Sequence, residues 1–165
     1  HDQIEAMTMA AKIVLMKDGN IVQEGSPDDL YDRPNSRFVA EFIGSPQINC
    51  IDGVIEAGEG GARLRTQHLA FDLPQGFAAH AGRQVTCGIR PNDVTLDPEG
   101  AIVGTLQIAE KTGADVQFHL DVDGTEFVAV APRSAYRQAG ERMSFAIDPG
   151  KLHVFDRTTG ARLTA

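Results

Sequence analysis

At 165 residues the chain has room for one domain, or for one small domain and part of another. Fifteen basic residues against 23 acidic ones give a net charge of −8. No Lys/Arg cluster forms the footprint of a phosphate-backbone reader, so nucleic acid is excluded as a partner. No apolar stretch approaches the ~20 residues of a membrane-crossing helix, and a hydrophobic content of 42% is too high for wholesale disorder. Cys50 and Cys87 are too few for a disulfide framework and stand in apolar surroundings, which fits a reducing compartment. The chain opens on His1 without a signal-peptide pattern, and reads as a piece of something longer.

In chain order, Ile4–Ala11 is rich in helix formers. Two apolar runs, Lys12–Lys17 and Ile21–Gly25, flank Asp18-Gly19-Asn20, so residues 12–25 read as a β-hairpin. Ser26-Pro27-Asp28-Asp29 offers a cap, a proline at the first helical position and acids in the first turn of a short helix. Pro34 stops it, and Asn35 or Ser36 caps a second helix with the stripe Phe38, Val39, Phe42, Ile43. The pattern changes at Gly44-Ser45-Pro46. Beyond it come strand-like runs at 48–57, 62–66, 84–90, 101–110, 115–122, 125–131, 142–147 and 151–155. Val116–Val122 alternates apolar and polar residues, and Asp123-Gly124 turns it into the next run. Short strands between turn signals predict a barrel or a sandwich. The boundary at 46 divides the chain into residues 1–46 and 47–165.

Chemistry-bearing patterns are sparse. His68, His80, His119 and His153 are well separated and read as surface or edge-strand residues, with no metal-ligand spacing among them. Cys50 and Cys87 read as small core residues rather than nucleophiles. Gly150-Lys151 lacks the glycine and hydroxyl residue of a phosphate loop and reads as a hairpin turn, so this chain alone holds no ATP. Asp28, Asp29 and Asp32 form a solvated acidic face. Arg90-Pro91 reads as a strand exit or as a fork-shaped contact to a carboxylate or a partner.

Several segments together carry a family resemblance. His1-Asp2-Gln3-Ile4-Glu5-Ala6, Gly25-Ser26-Pro27, Leu30-Tyr31-Asp32-Arg33-Pro34 and Phe38–Pro46 resemble, in order and spacing, the switch-histidine end of carbohydrate-importer ABC ATPases of the maltose and glycerol-phosphate type. Gly88-Ile89-Arg90-Pro91-Asn92-Asp93 is similar to that family's Gly-Ile-Arg-Pro-Glu-His signature, with Asn92 and Asp93 in place of Glu-His. Glu110–Asp115, with Gly113, resembles its Glu-x-x-Gly turn.

The resemblance implies a mainly β fold: an oligomer-binding-fold-like TOBE barrel over 47–165, preceded by a short α/β remnant of an ABC nucleotide-binding domain over 1–46. It implies that His1 is the parent ATPase's switch histidine, contacting the γ-phosphate and placing the attacking water, and inactive in this chain alone. Arg90, Asn92, Asp93, Glu110 and Gly113 become candidates for a regulatory or subunit interface. ATP and Mg belong to the full-length parent, with no cofactor and no metal expected in this chain. The implied partners are a second copy, the transporter's membrane subunits and a regulatory protein. The implied location is the cytoplasm, at the inner-membrane face. An alternative class is a small-ligand barrel for an oxyanion or sugar, because Ser45–Val54 loosely resembles the oxyanion-binding segment of molybdate-binding domains.

Overall fold

The computed structural model describes residues 2–165. Helix α1 (Asp2–Met9) leads into β1 (Ile13–Lys17) and β2 (Asn20–Gly25), the predicted hairpin. Its turn places Asp18 and Gly19 at φ of 50° and 79°, the left-handed geometry that matches strand twist. Helix α2 (Pro27–Asp32) has the expected start. The Ser26 hydroxyl accepts from the Asp29 amide, and the Asp29 carboxylate accepts from the Ser26 amide. Helix α3 (Arg37–Phe42) is capped by Ser36. These elements share a small core of Leu15, Leu30, Val39 and Ile43.

The rest of the chain is β3 (Asn49–Gly58), β4 (Gly61–Arg65), β5 (Ala70–Leu73), β6 (Gln84–Ile89), β7 (Val94–Leu96), β8 (Ile102–Thr112), β9 (Asp115–Val122), β10 (Thr125–Pro132), β11 (Arg142–Ile147), β12 (His153–Asp156) and β13 (Arg162–Leu163). They form two antiparallel sheets, in the orders β13-β12-β6-β3-β4-β5 and β10-β9-β8-β11-β7. Alternate residues of both sheets face one core, with Ile55, Leu64 and Val85 from the first and Phe118, Phe127 and Phe145 from the second. The second sheet curls until its edge strands β7 and β10 touch. The architecture is mainly β and barrel-like, as expected.

One side chain stitches the sheets together. Asn49, 5% exposed on β3, donates to the Val128 carbonyl (2.8 Å) and accepts from the Val128 amide (2.7 Å) on β10. Its amide group stands in for a strand residue. The hairpin expected at Gly150-Lys151 is corrected. A short 3-10 turn, Pro149–Lys151, instead carries the chain from β11 in one sheet to β12 in the other. Strands β5, β7 and β13 were not anticipated, because two to four residues are too few to display a period.

Candidate functional site

Between the helical part and the barrel lies a seam built on Arg90. Pro91 has no amide hydrogen to continue the ladder, and it holds Arg90 extended at the end of β6. Arg90 is 1% exposed. Its guanidinium donates to the carbonyls of Ala40 (2.9 Å) and Ile43 (2.5 Å) at the end of α3, and to that of Tyr31 (2.9 Å). It also lies 4.2 Å from the centre of the Tyr31 ring. Burial pulls its pKa below the usual range, against the pull of Tyr31, Asp93 and Asp32. Gly44, at φ 110°, makes room: a Cβ there would lie 3.0 Å from Arg90 Nη1. Arg90 stands at the strand exit, and its guanidinium grips three carbonyls of its own chain; neither a carboxylate nor a partner surface receives the fork.

His153 sits on β12 opposite Gly88 and is 7% exposed, which corrects its reading as a surface or edge histidine. Burial, then the charges of Arg90 and Arg162, press its pKa down to about 4. A second link across the seam runs from Arg37 on α3, which donates to Glu41 (2.8 Å) and Thr86 (3.4 Å). Thr86 in turn donates to Asp52 (2.5 Å). Cys50, beside Glu41, is raised by burial to about 12, and burial raises the enclosed Cys87 as well, so both remain thiols.

The remaining candidates lie elsewhere on the barrel. Asn92 is exposed and Asp93 half-buried on the turn after Arg90, which rests against β10. Glu110 points outward from β8 and meets His119 of β9 at 3.3 Å, and His119 meets Glu126 of β10 at 3.0 Å. Gly113, exposed at φ 86°, turns β8 into β9. Arg90 therefore does not join Glu110 and Gly113 in one cluster. His119 was overlooked as the centre of the outer face. The alternation Val116–Val122 places it outward, but its two carboxylates come from the neighbouring strands. His1 lies outside the described residues. Among those described, no three His, Cys, Asp or Glu side chains are grouped to hold a metal.

Two of the concave regions among the described residues lie beside the helical part. One is a cleft of about 480 Å³ among β3, the Thr66–Leu69 turn and the β9–β10 hairpin, with Arg37 of α3 at its edge. The other is an apolar hollow bordered by Met7, Ile13, Val14 and Phe42. No described helix is long and apolar enough to cross a membrane.

Comparison with known proteins adds a family context. The TOBE domain family matches residues 87–155, and the MalK OB fold domain family matches residues 44–94. The chain is 40% identical over 163 residues to an ABC transporter ATP-binding protein, y4oS, of Sinorhizobium fredii, covering 99% of this chain and 44% of that protein. It is 39% identical over 169 residues to the sn-glycerol-3-phosphate import ATP-binding protein UgpC of a Ruegeria species, covering 99% and 45%. It is 37% identical over 174 residues to the trehalose/maltose import ATP-binding protein MalK of Thermococcus litoralis, covering 97% and 46%. The chain thus spans a little under half the length of these relatives. A solved structure of the cytoplasmic molybdate-binding protein ModG aligns at a TM-score of 0.52 and 20% identity, over 64% of this chain and 94% of that one. That likeness is one of fold.

Proposed function

We propose, from the match to the C-terminal, TOBE-bearing part of carbohydrate-importer ABC ATP-binding subunits, that the chain is such a part and that residues 47–165 are a barrel for regulation and dimerisation. Residues 1–46 are then the closing segment of a nucleotide-binding domain. The full-length protein couples hydrolysis of Mg-bound ATP to import of a sugar or glycerol-phosphate-like solute. It works as a pair of copies, docked on membrane subunits at the cytoplasmic face of the membrane, with a regulatory protein as a further partner.

The observation that carries the reading is the Arg90 seam. A barrel tied to the helical part by three charge-assisted hydrogen bonds moves with that part as a body. Whatever binds the barrel then biases the arrangement of the two ATPase halves. On the outer face Glu110 and Gly113 are exposed and His119 half-buried, and on the turn after Arg90 Asn92 is exposed and Asp93 half-buried, so both places offer surface to a partner. The oxyanion alternative loses its asparagine, because both ends of the Asn49 amide are engaged by Val128.

The test is a comparison of the full-length protein with a version lacking residues 47–165. Both should bind ATP with Mg, and only the full-length protein should stay dimeric when nucleotide is removed. A full-length protein that binds no ATP, or a truncated one that dimerises equally well, would overturn the reading.

A further inference from the structure

The cleft between the sheets has a rigid rim and an apolar floor. Thr66 Oγ1 accepts from the amides of His68 (3.2 Å) and Leu69 (2.9 Å), which fixes one lip. Asn49 locks β3 to β10 beneath it, and Ile51, Val122 and Phe127 supply apolar lining. A volume of about 480 Å³ is within the range of small-molecule sites.

Its charges are unevenly spent. Arg37 is taken by Glu41 and Thr86, and Asp52 by Thr86 with Arg157 3.7 Å away. Glu126 offers one oxygen to His119. Among the described residues, the Asp123 carboxylate has no hydrogen-bond or ion-pair partner. The unspent charge at the mouth is therefore negative, at Asp123 and the second oxygen of Glu126. Thr125, also in the lining, adds an uncharged acceptor between them.

We propose that this cleft binds a small organic cation, a protonated amine with a short apolar body, between the β9–β10 hairpin and the Thr66–Leu69 turn. The amine sits against Asp123 and Glu126 while its carbon chain covers Ile51 and Leu69, the half-buried apolar residues of the lining. Because Arg37 lies at the edge, an occupant lies close to both the helical part and the barrel. The binding itself stands on the cleft alone; its consequence as an effector site rests on the regulatory reading above.

The 165-residue chain is titrated by calorimetry with spermidine and with butylamine at constant ionic strength. Sorbitol, glutamate and KCl serve as neutral, anionic and simple-salt comparisons, and amide chemical shifts report the location. Saturable one-to-one binding of an amine below ~1 mM is expected, with shifts concentrated in 66–69 and 122–127. The double substitution Asp123→Asn with Glu126→Gln should weaken it at least about tenfold, the scale of a lost charge-assisted contact. Asparagine tolerates the left-handed backbone of Asp123, at φ 54°, so the variant folds. Glu59→Gln with Glu99→Gln, which removes as much charge outside the cleft, should leave binding intact. No saturable amine binding, an equal response to KCl, equal losses in both double variants, or shifts centred elsewhere would each overturn the proposal. None of these outcomes bears on ATP binding by the full-length protein, so the two readings fail separately.

Discussion

Arg90 couples the two parts of the chain more directly than any other side chain described here. Three backbone carbonyls accept from it, those of Ala40 and Ile43 buried and that of Tyr31 partly so. Arg90→Ala should cost about 3–5 kcal/mol, since it removes charge-assisted bonds and leaves acceptors unsatisfied. Arg90→Lys should recover only part of this, because one ammonium cannot reproduce the fork. Urea unfolding of the three proteins reads the difference. His153 sets a pH dependence at the same seam. Its pKa falls from 6.5 to about 4 on folding, so between those values the unfolded chain binds the extra proton. This contribution to stability is complete above about 6.5. It is lost as pH falls toward about 4, at no more than about 1.4 kcal/mol per pH unit. His153→Gln should flatten that part of the profile, measured as urea midpoints from pH 7 to pH 5. An unchanged slope would remove His153 as its source.

At the scale of elements, local signals work where one short stretch decides the outcome. The reciprocal bonds of Ser26 and Asp29 define the start of α2, and they hold the Asp29 carboxyl below its usual pKa, with Arg33 adding to the effect. Ser26→Ala should cost about 1 kcal/mol, visible as a lower thermal midpoint and as faster hydrogen exchange within 27–32. The hairpin at Asp18-Gly19, the strand Val116–Val122 and its Asp123-Gly124 turn were legible for the same reason: each is decided by neighbours in sequence. The burial of His153 and the meeting of His119 with Glu110 and Glu126 were not legible. They depend on strand order and register, which pair residues between seven and 65 positions apart. Asn49 shows the limit most clearly. Its partner Val128 is 79 residues away, and an asparagine at a strand start carries no local sign that it joins two sheets. The resemblance placed Arg90 within a signature, but only the packed seam shows that it faces inward.

The whole molecule carries its apolar exposure unevenly. Ile4, Met9, Val14, Met16, Ile21 and Phe42 are all exposed, from 47% for Val14 to 85% for Met9, and all lie before residue 46. On the barrel, the exposed large apolar residues are Val54, Ile108 and Tyr136, and Tyr136 is already covered in part by Lys111, 4.1 Å from its ring centre. The helical part therefore offers the more adhesive surface, while the barrel offers Ile108 beside His119. An exposed apolar patch of a few hundred Å² tends to find a partner, and a two-fold pair is the commonest closed solution. The net charge of −8 on each copy opposes association, and salt screens that repulsion. The 165-residue chain should thus form a concentration-dependent dimer that tightens as salt is raised. Sedimentation at several concentrations and two salt levels tests this. Val14→Asp with Phe42→Asp should abolish the dimer if the helical face makes it, whereas Ile108→Asp should do so if the barrel face makes it. A strict monomer at ~100 µM, where a complex worth about −5.5 kcal/mol would be half formed, would rule out association through either face.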